Sequence, residues 1–127
     1  MNKIFILLIC VLQLNAKHLH KEKYYQEDFC TKLGGVMEYV LPDKTRVDCL
    51  TDEYAIEVEF AEKWAESIGQ SLYYSLVTGK KAGVYLIIEK ESEVRFLNRL
   101  FLVAKSFKIK VLIKKNGKFY PNIQSIK

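Results

Sequence analysis

The first half of the chain alternates between one helical pattern and three short strand patterns. From residue 17 to about residue 33, aromatic side chains and Cys30 recur with helical spacing, and Gly34-Gly35 ends the pattern. Two turn signals, Pro42-Asp43-Lys44 and Thr51-Asp52-Glu53, then separate three apolar runs. These runs predict a meander of three strands at residues 36–41, 45–50 and 54–60.

The second half predicts two helices that alternate with strands. A helix is expected from residue 61 to about 78, because apolar residues recur every four positions and form an inward-facing stripe. These residues are Trp64, Ile68, Leu72 and Leu76. The helix is expected to end at Gly79. A strand is then expected at 83–89, where Gly83 and Glu89 enclose an uninterrupted apolar run that is typical of burial on both faces.

A second amphipathic helix is predicted from its N-cap Ser92 to about residue 107, followed by a strand at 109–113. Asn116-Gly117 predicts a tight hairpin turn that returns the chain to residues 118–120. The core order is αβββαβαβ. It predicts a single α/β domain of three layers, in which helices flank a mixed sheet.

Acidic residues interrupt the second and third predicted strands. Glu57 and Glu59 share one face of their strand because successive side chains alternate, and Asp48 is expected to share a face with Arg46 and Leu50. Carboxylates on neighbouring strands repel each other unless a cation lies between them. Divalent metals bind several oxygen ligands, so the pattern suggests a metal site. The alternative is a solvent-facing strand whose acids neutralise nearby basic residues.

Composition places the 127-residue chain among single globular domains with a basic surface. Half of its residues are hydrophobic, and the formal net charge of +5 favours an acidic partner such as nucleic acid or an anionic membrane surface. Much of the excess charge comes from lysines in the C-terminal third, for which a solvated surface is the simpler interpretation. The sequence contains neither a Gly-rich phosphate loop nor a serine–histidine pairing typical of hydrolases.

Residues 1–16 are predicted to be a signal peptide that is not part of the fold. Lys3 precedes an apolar run at 4–14 that is too short to span a bilayer, and Ala16 marks the predicted cleavage site. The mature protein would then consist of residues 17–127 and be secreted or periplasmic, without a membrane contact. An uncleaved N-terminal anchor is the alternative.

Removal of the leader leaves two cysteines, Cys30 and Cys49. In an oxidising compartment this pair predicts a disulfide, and two buried free thiols are the alternative. A zinc site is not expected, because the cysteines lack the CxxC spacing and both histidines lie beside the leader.

The order of elements and the acidic spacing resemble the PD-(D/E)XK nuclease superfamily, whose core order is αβββαβ. Its members carry an Asp on the second core strand, which Asp48 matches, and an acidic-X-Lys element on the third, which Glu57-Val58-Glu59 matches in part. RecB-like members add Gln-X-X-X-Tyr on the next helix, as in Gln70-Ser-Leu-Tyr-Tyr74. The likeness covers nearly the whole predicted mature chain. The proteins that the chain resembles most are small bacterial and phage proteins that are RecB-like or Holliday-junction-resolvase-like.

The resemblance implies a restriction-endonuclease-like fold that hydrolyses phosphodiester bonds in DNA, or in RNA, without a small-molecule cofactor. It implies that Asp48 and Glu57 bind Mg²⁺ or Mn²⁺. Glu59 stands where the superfamily has its lysine. The catalytic role of that lysine would fall to Lys63, one helical turn further on, or Glu59 itself would bind a second metal or act as a general base.

Supporting roles follow from the same resemblance. Gln70 and Tyr74 are four residues apart on one helix face, where they would lie beside the site and contact nucleic acid. A further acid would come from Glu27 in the first helix or from Glu38 in the first strand. The alternatives are a catalytically impaired protein that kept the fold and binds nucleic acid, and an exported interaction protein. The sequence leaves the oligomeric state open.

Overall fold

The computed structural model describes residues 18–125, so the predicted signal peptide lies outside the described residues. The described chain contains three α-helices, which are α1 (Glu22–Lys32), α2 (Trp64–Thr78) and α3 (Val94–Phe107). It also contains six strands, which are β1 (Val36–Val40), β2 (Arg46–Leu50), β3 (Tyr54–Phe60), β4 (Lys81–Ile88), β5 (Lys110–Lys115) and β6 (Lys118–Tyr120). Short 3₁₀ turns precede α2 and α3.

The six strands form one mixed sheet in the order β1-β2-β3-β4-β5-β6. Strands β3, β4 and β5 run parallel and are connected through α2 and α3, whereas the outer strands pair antiparallel. Helix α1 packs on one face of the sheet, and α2 and α3 pack on the other. The predicted α/β architecture with helices on both faces of a mixed sheet is therefore confirmed. Within residues 18–125 no helix is long and apolar enough to cross a membrane.

Strand β4 lies at the centre of the core, and every residue after its first is buried. Val84 and Leu86 pack in the cluster that contains α3, whereas Tyr85 and Ile87 pack in the cluster beneath α1. Phe29 of α1 stacks on Tyr85 with ring centroids 3.9 Å apart. The continuous apolar run is thus buried on both faces, as its composition predicts.

Two turns have the backbone conformations that their sequences require. Gly79 ends α2 in the left-handed region with φ 71°, which glycine adopts without steric penalty. Asn116 and Gly117 have φ values of 50° and 78°, as a two-residue hairpin turn between β5 and β6 demands. Both predictions are confirmed.

The N-terminal segment differs from the prediction, because α1 begins at Glu22 and residues 18–21 are not helical. Side-chain contacts hold this segment against the end of β4. Imidazole Nδ1 of His18 lies 2.6 Å from Oε1 of Glu89, and the backbone N–H of Leu19 donates to Oε2 of the same carboxylate at 2.9 Å. The His18 ring also stacks on Phe60 with centroids 3.5 Å apart. These long-range contacts take the place of a further helical turn.

Two details of the other helices also differ. Ser92 does not cap α3, because it lies inside a 3₁₀ turn and the carboxylate of Glu93 accepts the N–H groups of Glu89 and Lys90 at 3.0 and 2.9 Å. The apolar stripe of α2 makes contact with the core only as far as Leu72, since Leu76 is 84% exposed.

The predicted disulfide is present and joins α1 to β2 through Cys30 and Cys49, both fully buried. Gly35 lies directly beside it. A Cβ atom at Gly35 would stand 2.6 and 2.8 Å from the two sulfur atoms, so only glycine fits there. The crosslink ties the helix to the residue that follows Asp48.

Candidate metal centre at the opening between two strands

Strands β2 and β3 pair only beside the turn that joins them. Their register contains the pairs Cys49 with Ile56 and Leu50 with Ala55, and it stops there. Beyond these pairs the backbone N–H of Val58 donates to Oδ2 of Asp48 at 2.8 Å. A side-chain oxygen thus accepts a hydrogen bond from the neighbouring strand. We call this region, formed by Asp48, Glu57 and Val58, the strand opening.

Strand β2 loses its regular alternation at the strand opening. Val47 and Leu50 both pack in the cluster that holds Tyr74 of α2, whereas Cys49 packs beneath α1. A regular strand would place Val47 and Cys49 on the same face. The regular alternation of β2 is therefore broken between Val47 and Cys49, at Asp48, and the expectation that Asp48 shares a face with Leu50 stays a prediction.

Strand β1 is irregular at the matching position. Its register with β2 pairs Met37 with Cys49 and Tyr39 with Val47, and it omits Glu38, which has φ +53°. Such a conformation is rare for a residue other than glycine. The two irregular positions, Glu38 and Asp48, therefore lie side by side in adjacent strands.

Four carboxylic acids surround the strand opening, and we call them the acid cluster. They are Glu22, Asp48, Glu57 and Glu59. Glu57 and Glu59 are only 4% and 7% exposed, and their common face of β3 confirms the alternation predicted for that strand. The carboxyl groups of Asp48 and Glu57 lie close enough to share a hydrogen bond, and so do those of Glu22 and Glu59. Two carboxyl groups can share a hydrogen bond only if one of them is protonated.

Two members of the acid cluster, Glu57 and Glu59, retain protons at neutral pH. Burial raises the pKa of Glu57 to about 9, and the negative charge of Asp48 adds to the increase. Burial raises the pKa of Glu59 to about 8, with the charge of Glu22 as the next cause. Burial also raises the pKa of Asp48 to about 6, although the hydrogen bond from Val58 opposes the increase. Low solvation and mutual repulsion both disfavour the ionised forms.

The donor atoms at the strand opening suit Mg²⁺ or Mn²⁺. All of them are carboxylate oxygens, the ligands that hard divalent cations prefer, and a cation would relieve the repulsion that raises the pKa values. Between residues 18 and 125, no three His, Cys, Asp or Glu side chains already stand in metal-binding geometry. The fit therefore rests on the pair Asp48 and Glu57. One or two carboxylates are the protein ligands that magnesium sites commonly use, with water and phosphate oxygens completing the shell.

The residues predicted on α2 occupy different environments. Tyr74 is 7% exposed, and burial raises the pKa of its hydroxyl with further contributions from the charges of Glu57 and Asp48. Its hydroxyl therefore lies close enough to the strand opening to sense both carboxylates. Gln70, one turn earlier, is exposed on the surface. Lys63 is also exposed, and its charge lowers the pKa of Glu59 against the larger effect of burial, which places Lys63 near the acid cluster.

Neither acid proposed as an additional ligand is buried with the cluster. Glu27 is exposed on α1, and Glu38 is exposed on β1, where it accepts a hydrogen bond from Gln26 and adds its charge to the environment of Asp48. The acid that α1 contributes is Glu22, in its first turn. Glu22, Gln26 and Cys30 follow one another at intervals of four residues along α1. This i, i+4, i+8 spacing in the sequence is the signal that identifies the face of α1 directed at β2.

The chain is similar to viral proteins. It is 34% identical over 73 residues to one putative KilA-N domain-containing protein of Acanthamoeba polyphaga mimivirus, and 33% identical over 95 residues to another. The alignments cover 58% and 73% of this chain but only 20% and 37% of the two relatives. The chain thus spans less than two fifths of either protein. No family model matches the sequence, and no solved structure matches it.

Proposed function

We propose that this protein is a metal-dependent nuclease that hydrolyses phosphodiester bonds in DNA. The observation that carries the proposal is the acid cluster, in which three acids with raised pKa values, Asp48, Glu57 and Glu59, line a gap between two strands. Such an arrangement destabilises the fold when the acids ionise, and perturbed groups of this kind concentrate at functional sites. A divalent cation is the partner that best compensates their charge.

Asp48 and Glu57 are the proposed ligands of Mg²⁺ or Mn²⁺. A bound cation of this kind polarises a phosphoryl oxygen and lowers the pKa of a coordinated water. Asp48 keeps a defined orientation because its Oδ2 atom accepts the N–H of Val58 at 2.8 Å. Tyr74 lies near both carboxylates on the side of α2 and packs in one cluster with Val47 and Ala55.

Glu59 and Lys63 are the proposed catalytic groups. With a pKa of about 8, Glu59 can bind or release a proton near neutral pH, as a general base or acid requires. Lys63 lies near it and carries a positive charge suited to an anionic phosphate. These two residues take the place of the lysine that the PD-(D/E)XK motif carries at the position of Glu59.

Several observations support nucleic acid as the substrate. The formal net charge is +5, and Arg46 and Lys63 are exposed near the strand opening. The likeness to two viral proteins named for a KilA-N domain is consistent with DNA as a partner. The order of helices and strands is a further reason to propose a restriction-endonuclease-like core. The same chemistry would act on RNA, so both polymers belong in the test.

The proposal is tested with labelled single-stranded and duplex DNA, and with RNA, in Mg²⁺ or Mn²⁺. We expect cleavage by the wild-type protein and a loss of at least about 100-fold in Asp48→Ala and Glu57→Ala, because each removes a metal ligand. Glu27→Ala is the matched control, since Glu27 is an exposed acid outside the cluster. Equal residual activity in the wild type and both cluster variants would show that the cleavage is contamination.

A second candidate function is nucleic-acid binding without hydrolysis. It is favoured by one observation, that Glu59 occupies the position of the motif lysine. This candidate predicts binding that weakens steeply with salt and shows no turnover in any divalent metal. An exported interaction protein, the remaining alternative, would bind neither metal nor nucleic acid at the acid cluster.

We also propose that the protein acts outside the reducing cytosol. The disulfide between Cys30 and Cys49 supports this location, because such crosslinks persist mainly in secreted and periplasmic proteins. Cleavage after Ala16 is tested by determining the N-terminal residue of protein recovered from the producing cells. An intact N-terminus would support the uncleaved anchor.

A further inference from the structure

Gln26 is a buried polar residue whose hydrogen bonds lie outside its own helix. It is 3% exposed, and its Nε2 atom donates to the backbone oxygen of Asp48 at 2.8 Å and to Oε1 of Glu38 at 3.1 Å. Both acceptors belong to the two irregular positions of β1 and β2. One amide group of α1 therefore connects the two neighbouring positions that are missing from the pairing of β1 with β2.

These contacts fix the backbone of Asp48 on one side and its side chain on the other. Gln26 holds the carbonyl oxygen at 2.8 Å, and the N–H of Val58 holds the carboxylate Oδ2 at the same distance. A residue held at both ends cannot turn its carboxylate out of the strand opening without breaking a buried hydrogen bond. Leaving a buried polar group unsatisfied is unfavourable.

The chemical nature of Gln26 suits this position. A carboxylate there would add another negative charge beside Glu22, Glu38 and Asp48, and it could not donate to them once ionised. A lysine would donate, but its charge would neutralise the acids and compete with a metal. A neutral amide can orient the carboxylate without changing the net charge of the acid cluster.

We propose that Gln26 is the positioning residue that directs the Asp48 carboxylate into the strand opening for metal binding. This inference rests on the proposed metal-dependent function and assigns to α1 a role beyond the supply of Glu22. Gln26 acts through Asp48 and does not touch the metal. Its loss lowers metal affinity because a carboxylate that samples several orientations must be ordered again when the metal binds.

The test compares Gln26→Met with Phe29→Leu. The first variant keeps the approximate volume of the side chain and removes both hydrogen bonds. The second loosens the same helix at a residue that stacks on Tyr85 and whose side chain has no hydrogen-bonding group. We expect the Mn²⁺ affinity measured by calorimetry to fall about tenfold or more in Gln26→Met and to stay within about twofold of wild type in Phe29→Leu.

The backbone amide of Val58 provides a readout that needs no metal. In the metal-free protein its hydrogen exchange reports the bond to Asp48, and we expect exchange at Val58 to accelerate in Gln26→Met but not in Phe29→Leu. Equal affinity in the wild type and Gln26→Met, or an equal loss in both variants, would overturn the positioning role. If the wild type binds no Mn²⁺, the proposed function fails, and unchanged exchange at Val58 in Gln26→Met would then overturn the inference separately.

Discussion

Replacing Glu57 by Gln should stabilise the metal-free protein at neutral pH. Buried carboxylates with lowered pKa values usually make a fold more stable as the pH rises, whereas Glu57 acts in the opposite direction. Its pKa rises from an ordinary 4.5 to about 9, chiefly through burial. Between these values the folded chain holds a proton that the unfolded chain has released. The free energy of unfolding must therefore fall as the pH increases through this window.

The magnitude follows from the number of protons retained. One proton held only by the folded state lowers the free energy of unfolding by about 1.4 kcal/mol for each pH unit. The interval from pH 5 to pH 7 lies wholly inside the window of Glu57, so this residue alone destabilises the fold by about 3 kcal/mol over that interval. Because Glu57 is only 4% exposed, solvent screens this effect little. Glu59, with a pKa of about 8, acts in the same direction.

Glutamine at position 57 imitates the protonated acid and keeps an oxygen that can accept a hydrogen bond. Urea unfolding of the oxidised chain in EDTA, at pH 5, 6, 7 and 8, measures how the free energy of unfolding changes with pH. The proteins compared are the wild type, Glu57→Gln and the exposed control Glu27→Gln. We expect the wild type and the control to lose stability with rising pH. In Glu57→Gln the loss per pH unit should be smaller by the contribution of about one proton, or about 1.4 kcal/mol. Identical slopes for all three proteins would refute proton retention by Glu57.

Three further predictions concern the scaffold. Replacing Cys30 and Cys49 together by Ala removes a crosslink across 19 residues, so urea unfolding should show a loss of about 3 kcal/mol, and unchanged stability would contradict a structural role. His18→Gln weakens the contacts of the imidazole with Glu89 at 2.6 Å and with Glu62 at 2.8 Å and should cost about 1 kcal/mol in the same assay, and unchanged stability would contradict the docking of the N-terminal segment. Leu100→Ala should lower the free energy of unfolding by about 3 kcal/mol because Leu100 is fully buried. Leu76→Ala should change it by no more than about 0.5 kcal/mol because Leu76 is 84% exposed, and similar losses in both variants would contradict the packing of α2 and α3.

The regular parts of the fold follow from local patterns. Alternation alone places Glu57 and Glu59 on one face of β3, because β3 pairs with β4 in an unbroken parallel register. The uninterrupted apolar run of β4 predicts burial on both faces, because each face of the strand then carries apolar side chains. Gly79 and Gly117 stop or turn the chain where their positive φ values are needed. Each of these features depends on neighbouring residues or on one regular strand pair.

The rest of the candidate site depends on contacts that the local pattern does not contain. At Asp48 a side-chain oxygen accepts a hydrogen bond from the neighbouring strand, and a period of two residues cannot predict such a contact. Glu22 and Gln26 become part of the site only because α1 docks across β2. The stripe that includes Leu76 has the right period. However, the period does not reveal how far the helix remains in contact with the core.

Calorimetric titration of the oxidised, metal-free protein with Mn²⁺ at pH 7 tests the central claim most directly. Repeating the titration in two buffers with different ionisation enthalpies counts the protons that binding releases. We predict saturable binding with the release of at least one proton, because the metal must displace protons from the acid cluster. Asp48→Asn and Glu57→Gln should abolish this binding, and Glu27→Gln should preserve it. Binding without proton release, binding that survives both cluster substitutions, or no binding by the wild type would contradict the metal site.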